Sequence, residues 1–220
     1  MSHKFIPYRQ KELTNEEQLQ KSELFYNLLD KRRSVREYSD KAIDIKVIEN
    51  IIKTAGTAPS GAHKEPWTFC VVSNPELKSK IRSAAEEEEK KSYGGRMSDR
   101  WKADLEPLGT TWEKPFIEIA PYIIVVFKRV HETVGGEKRN NYYVNESIGI
   151  ACGMLIAAIH NAGLVTLTHT PSPMNFLGKI LNRPENERAY LLLPVGHPKN
   201  EAEVPDIHRK KLNELLVVYK

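Results

Sequence analysis

An α+β domain is the fold class that this sequence predicts, and three observations predict it. Four short apolar runs rich in strand formers alternate with longer stretches of helical periodicity. Capping signals stand in front of several of those stretches. Glycine and proline gather between them in loops. With 220 residues, 40% of them hydrophobic, the chain has enough material for one packed core, and a single domain over residues 1–220 is expected.

The elements follow in order. Thr14 and Glu17 make a capping box, after which Leu24, Phe25, Leu28 and Leu29 share one helical face. That helix ends near Arg32-Arg33-Ser34-Val35-Arg36. Asp44 is an N-cap for a second helix carrying Val47, Ile48, Ile51 and Ile52, which the loop Gly56–Ala62 stops. Trp67–Val72 reads as a strand, and Asn74-Pro75 supplies an N-cap with proline in the first turn of the next helix. Its face of Leu77, Ile81 and Ala84 gives way to Glu86-Glu87-Glu88-Glu89-Lys90-Lys91. Between about residues 93 and 112 the periodicity fails, and Gly94-Gly95, Pro107 and Gly109 predict an irregular, mobile cover; the lid is placed over 86–114.

Tyr122–Phe127 is a second strand, and Val134-Gly135-Gly136 marks the loop after it. Ile148–Ala162 predicts a nearly all-apolar helix, buried in the core or against a second subunit, with Gly149 and Gly153 admitting a close neighbour. Leu164–Thr170 is a third strand, Ser172-Pro173 caps a further helix, and Tyr190–Val195 is a fourth strand. Residues 1–23 form an extension. The tail, 198–220, is a polar arm ending in the apolar run Leu215–Tyr219, which predicts docking on a partner chain.

Composition narrows the function. Thirty-three basic against 29 acidic residues, a net charge of +4, is too balanced for a protein whose partner is bulk nucleic acid, so anion binding must be local. The two cysteines, Cys70 and Cys152, form no CxxC and have no histidine at metal-ligand spacing, which predicts free thiols and a reducing compartment. Neither a signal-peptide core nor about 18 consecutive apolar residues occurs, so a soluble cytoplasmic protein without membrane contact is expected. GxGxxG, Walker, HExxH and GxSxG motifs are absent, so a bound phosphate would be held by side chains.

Three groups carry chemistry. The Arg32–Arg36 cluster offers guanidinium forks suited to phosphate, with Ser60-Gly61 and Arg209 as helpers; a solvated basic turn is the plain alternative. Thr166, Thr168 and Thr170 alternate at a strand end and so face one side, either towards a ligand or as the polar face of an edge strand. Glu89 and Tyr93, four apart, share a helical face with Lys114 beyond the irregular segment; otherwise this is a solvated acidic helix.

The arginine cluster, Thr54–His63, Glu65-Pro66-Trp67, the acidic run ending in Glu89, and Asn161–Thr166 together resemble the nitroreductase superfamily, more narrowly its soluble iodotyrosine deiodinase branch. The resemblance runs from about Leu24 to the C-terminus. It implies a central mixed or antiparallel sheet flanked by helices, in an intertwined FMN-dependent homodimer with C-terminal arm exchange and active sites at the subunit interface. Arg32, Arg33, Ser34, Val35, Arg36 and Arg209 would hold the FMN. Ser60 and Gly61 would approach the flavin, and Thr168, His169 and Thr170 would contact its ring, Thr170 at N5 favouring one-electron steps. His169 stands where relatives have a threonine, so its contact is open between side chain and backbone.

The resemblance further implies that Glu89, Tyr93 and Lys114 grip the zwitterion of a halotyrosine while the Ala62 N–H meets its phenolate. The implied reaction is reductive dehalogenation of iodotyrosine to tyrosine and iodide, with electrons from an external donor or an NAD(P)H-dependent reductase. A broad nitroaromatic or quinone reductase of the same fold is the enzymatic alternative, and a non-catalytic flavin-binding or nucleic-acid-binding protein is the other.

Overall fold

The structure is a computed structural model that describes residues 3–220. It divides after Arg32 into two compact units. The N-terminal unit holds helix α1 (Asn15–Asp30), opened as expected by a reciprocal box in which Glu17 N–H donates to Thr14 Oγ1 at 3.2 Å and Thr14 N–H to Glu17 Oε2 at 2.8 Å. None of its residues is buried, and the apolar Leu24 and Phe25 are exposed.

The second unit is built on four antiparallel strands in the order β1 (Trp67–Val72), β2 (Tyr122–Arg129), β6 (Glu187–Gly196) and β5 (Val165–Thr166). Both faces of the sheet are covered. Ile124 and Val126 of β2 point to one side, where Ile48 and Ile51 of α2 (Ile45–Gly56) meet Ile148 and Leu155 of α6 (Val144–Asn161). Ile123, Val125 and Phe127 point to the other, where they meet Ile81 of α3 (Pro75–Lys91), Phe116 of α5 (Phe116–Ile119) and Leu177 of α7 (Asn175–Ile180). Coverage on both sides is why the strand reads as a continuous apolar run instead of an alternation. Asp44 and Asn74 cap α2 and α3 as expected, accepting from Lys46 N and Leu77 N, each at 2.9 Å.

Four expectations change. The third strand is laddered only at Val165 and Thr166, although its register continues to a bridge between His169 and Leu192. That register puts Leu167 opposite Pro194, which has no N–H to give, so the ladder lapses there and resumes at His169. Residues 93–112 are not irregular throughout. They contain a wide turn (Ser92–Arg96) and helix α4 (Asp99–Leu105), whose Ser98 cap accepts from Trp101 N at 3.2 Å. With seven residues and none buried, α4 carries no apolar periodicity to read. The Gly135-Gly136 loop is the tip of a hairpin, β3 (His131–Val134) with β4 (Glu137–Asn140), and both glycines have positive φ, as a two-residue hairpin turn requires. Ser172-Pro173 is a cis peptide ahead of α7 and does not cap it; Met174 stands at the N-cap without a side-chain bond.

Helix α6 is apolar but not enclosed by its own chain. Ile148, Ala151, Leu155 and Ile159 are buried, whereas Ile150 and Gly153 are exposed. Gly149 does admit a neighbour, with the Tyr190 hydroxyl 3.6 Å from where a Cβ would lie. Both cysteines are free, Cys152 buried and Cys70 half-buried.

Candidate active site

The basic segment lies against the threonine strand end. Ser34 forms a parallel bridge with Thr166, and Val35 N–H donates to Thr166 O at 3.2 Å, so residues 33–36 run beside the start of the 166–170 stretch. Val35 is buried and anchors the segment. Arg36 is half-buried; burial lowers its pKa against the opposing influence of Tyr38 and Tyr93. Arg33 donates through Nη2 to Pro205 O on the C-terminal arm. Arg32 closes the N-terminal unit.

Along the strand end the predicted alternation holds. Leu167 and His169 are buried, while Thr168 and Thr170 are exposed; Thr166, on their parity, is buried beneath the Ser34–Val35 crossing. The His169 backbone exchanges both hydrogen bonds with Leu192, at 2.9 and 3.0 Å. Its ring stands edge-on to Phe116, centroids 5.6 Å apart, with Nε2 buried and unpartnered. Burial, then the nearby Lys114 and Arg36 charges, pull its pKa to about 3, so the imidazole is neutral. The outward groups here are therefore the two threonines.

Glu89, Tyr93 and Lys114, separated by the whole lid, converge. Lys114 Nζ lies 3.8 Å from Glu89 Oε2, with the two side chains 4% and 12% exposed, and 5.9 Å from the centre of the Tyr93 ring. Burial dominates both ionisable groups: it raises the Glu89 pKa and lowers that of Lys114, each partly opposed by the other's charge. Two residues the sequence reading did not single out complete the cluster. Tyr93 OH donates to Thr110 O at 3.0 Å, and Lys114 Nζ donates to Thr111 O and to Thr110 Oγ1, the latter at 3.4 Å. Their only signal in the sequence was closeness to Lys114. Arg36 acts electrostatically on Tyr93, Lys114 and His169, which joins this cluster to the basic segment.

The loop after α2 is held elsewhere, on the start of α6. Gly61 N–H donates to Ser147 Oγ at 3.2 Å, and a Cβ at Gly61 would sit 2.9 Å from Tyr142 O. Ser60 Oγ accepts from Glu65 N–H at 2.9 Å. Ala62, His63 and Glu65 all have positive φ, an unusual concentration for residues other than glycine. The turns engage the N–H groups of Gly61, His63, Lys64 and Glu65; that of Ala62 makes none of these bonds. Arg209 lies exposed on the arm.

This donor set suits a flavin mononucleotide: guanidinium groups and a serine hydroxyl for the phosphate, adjoining an edge that presents two threonine hydroxyls.

Residues 29–197 match the model of the nitroreductase family. The chain is 62% identical over 216 residues to the iodotyrosine deiodinase of Haliscomenobacter hydrossis, covering 98% of this chain and 97% of that one. The chain belongs to the iodotyrosine deiodinase branch of the nitroreductase family. Human iodotyrosine deiodinase 1 is 49% identical over 214 residues, 96% of this chain and 74% of the human one. Among solved structures, iodotyrosine deiodinase bound to FMN and 3-iodo-L-tyrosine superposes with a TM-score of 0.78 at 31% identity, covering 89% of this chain and 98% of that one. An FMN-bound nitroreductase from Bacteroides fragilis shares the fold, with a TM-score of 0.66 at 18% identity. Among the described residues, no helix of this family member is long and apolar enough to cross a membrane.

Proposed function

We propose that this deiodinase-family protein removes halide reductively from halotyrosines, with iodotyrosine as the reference substrate. The observation that carries the reading is the convergence of Glu89, Tyr93 and Lys114 into one half-buried cluster. A carboxylate, an ammonium and a phenol held together away from water match a zwitterion: Glu89 accepts from the substrate ammonium, Lys114 pairs its carboxylate, and Tyr93 adds a hydrogen bond. Neither substrate charge can be buried without such a partner.

FMN, when bound, supplies the electrons. Arg32, Arg33, Ser34, Val35, Arg36 and Arg209 would hold it, Ser60 and Gly61 would approach it, and Thr168 and Thr170 would present their hydroxyls to its ring, Thr170 as the partner of N5, with His169 bracing the edge from inside. The Ala62 N–H donates to the substrate phenolate, in the manner of an oxyanion site. Protonation at the halogen-bearing carbon gives a nonaromatic ketone. Two electrons then release halide and restore the phenolate, so that one proton and two electrons convert C–I into C–H plus iodide. The lid trio orients the amino acid and excludes water throughout.

The functional unit is a homodimer with its sites at the interface. Support comes from the loop at 60–62, which packs on the start of α6, from the exposed face of α6, and from the apolar arm residues Leu212 and Val217, 70% and 73% exposed. An exchanged arm would bring Arg209 to the partner's flavin. Electrons come from an external donor or a separate NAD(P)H-dependent reductase. Anaerobic reduction of the purified yellow protein, followed by iodotyrosine, is expected to reoxidise the flavin with release of one iodide and one tyrosine. Flavin that stays reduced would sink the reading.

A further inference from the structure

The face of α3 towards the lid carries Lys78, Arg82, Glu86 and Glu89, spaced four, four and three residues apart, so all four lie on one stripe. Each of them engages the segment 114–120. Lys78 Nζ donates to Glu118 O at 2.7 Å and to Ala120 O at 2.8 Å. Arg82 Nη1 donates to Glu118 Oε2 at 2.6 Å, and its Nε donates to Glu86 Oε1 at 2.8 Å. The same Glu86 oxygen accepts the Lys114 backbone N–H at 2.8 Å. Glu89, one turn further along, meets the Lys114 ammonium. Lys114 is thus held at its backbone by one residue of this stripe and at its charged tip by another.

We propose that Glu86 is a positioning residue for Lys114: by accepting its backbone N–H while clamped by Arg82, it sets the lysine opposite Glu89 and so helps the site select an amino acid over a bare phenol. This rests on the reading that Lys114 pairs the substrate carboxylate. A carboxylate is suited to the task because it can accept from a peptide N–H and a guanidinium together, and charge-assisted bonds are the shorter and stronger kind. Burial favours the neutral form of Glu86, but the Lys114 N–H and Arg82 outweigh it and hold its pKa below the ordinary carboxylate value, so Glu86 is charged. Its neighbour Glu87 instead pairs with the exposed Lys91. The acidic run therefore has a structural side and a solvated side, and Glu86 lies on the structural one.

The test compares kcat/KM for 3-iodotyrosine with that for 2-iodophenol, which lacks both the ammonium and the carboxylate, in FMN-loaded protein. E86A is expected to lower the iodotyrosine-to-iodophenol ratio about tenfold, through KM, the size of losing one charge-assisted hydrogen bond. E86Q keeps an acceptor oxygen and is expected to recover most of the ratio. Amide hydrogen exchange, read without turnover, should speed up at Lys114 in E86A and stay near the parent rate in E86Q. K114A is the control for the underlying reading and should lower the ratio further still. A ratio unmoved in E86A while K114A lowers it overturns the role of Glu86 alone; equal losses on both substrates in E86A make Glu86 a general prop and overturn it too. A ratio unmoved by K114A overturns the substrate-grip reading, and the role of Glu86 falls with it.

Discussion

Lys114 shows how a single side chain acquires meaning from its surroundings. In the sequence it is a candidate partner of Glu89 that could equally be solvated; in the structure its side chain is 4% exposed and faces Glu89 across the lid. Because burial raises the Glu89 pKa and lowers the Lys114 pKa, the doubly charged pair exists over a narrower pH range than the free groups would allow. Iodotyrosine affinity should fall as pH drops through the raised Glu89 value and fall again as pH rises through the lowered Lys114 value. Titration of flavin fluorescence against iodotyrosine across pH checks this, and E89Q should remove the acid limb while leaving the alkaline one. His169, whose contact the sequence left open between side chain and backbone, has its ring buried against Phe116. Its pKa falls from the usual 6.5 to about 3, so the unfolded chain takes up the proton first on acidification. The stability tied to its neutral form is complete above about pH 6.5 and is lost as pH falls towards 3, at up to about 1.4 kcal/mol per pH unit. H169F, which keeps a ring against Phe116, should show a shallower acid dependence of urea stability than the parent between pH 6.5 and 4.5.

Among the elements, those with strong local signals formed as read. The capping box of α1, the Asp44 and Asn74 caps and the apolar runs of β1, β2 and β6 all depend on neighbours in the chain. The failures came where the deciding partner is distant or where no buried face marks the element. β5 stops laddering because Pro194, far along the sequence, lies opposite Leu167, and α4 forms on the strength of a serine cap with no buried face to announce it. Gly61 likewise depends on a distant partner, since its missing Cβ matters because the loop rests on Tyr142 and Tyr143 at the entrance to α6. A methyl group there would press on a backbone oxygen 2.9 Å away, which cannot swing aside as a side-chain tip would. G61A should cost about 1–3 kcal/mol of stability, measured by denaturant unfolding, and weaken FMN retention as the Ser60–Ala62 turn shifts. Parent-like unfolding would show that the loop yields without cost.

For the molecule as a whole, the C-terminal arm is where the proposed dimer can be tested. It leaves β6 along the 37–39 segment, with Ser39 N–H donating to His197 O at 3.0 Å and Lys199 N–H to Glu37 O at 3.1 Å, and its last apolar residues then stay exposed. Deleting residues 206–220 should convert a dimer to monomer in sedimentation equilibrium and release FMN; a truncated protein that remains dimeric and yellow would show that the arm is not exchanged. By itself the sequence determined the caps of α1, α2 and α3, the apolar runs of the sheet, and the motifs whose resemblance named the family and the lid trio, because these reside in residue type and short spacing. Only the tertiary structure decided that the acidic run has two sides, that His169 is an internal strut between two outward threonines, and that Glu86 holds the Lys114 backbone. Each of those depends on which distant backbone group or charge lies within about 3 to 4 Å, and that distance is set by packing across the sheet, which no local spacing records.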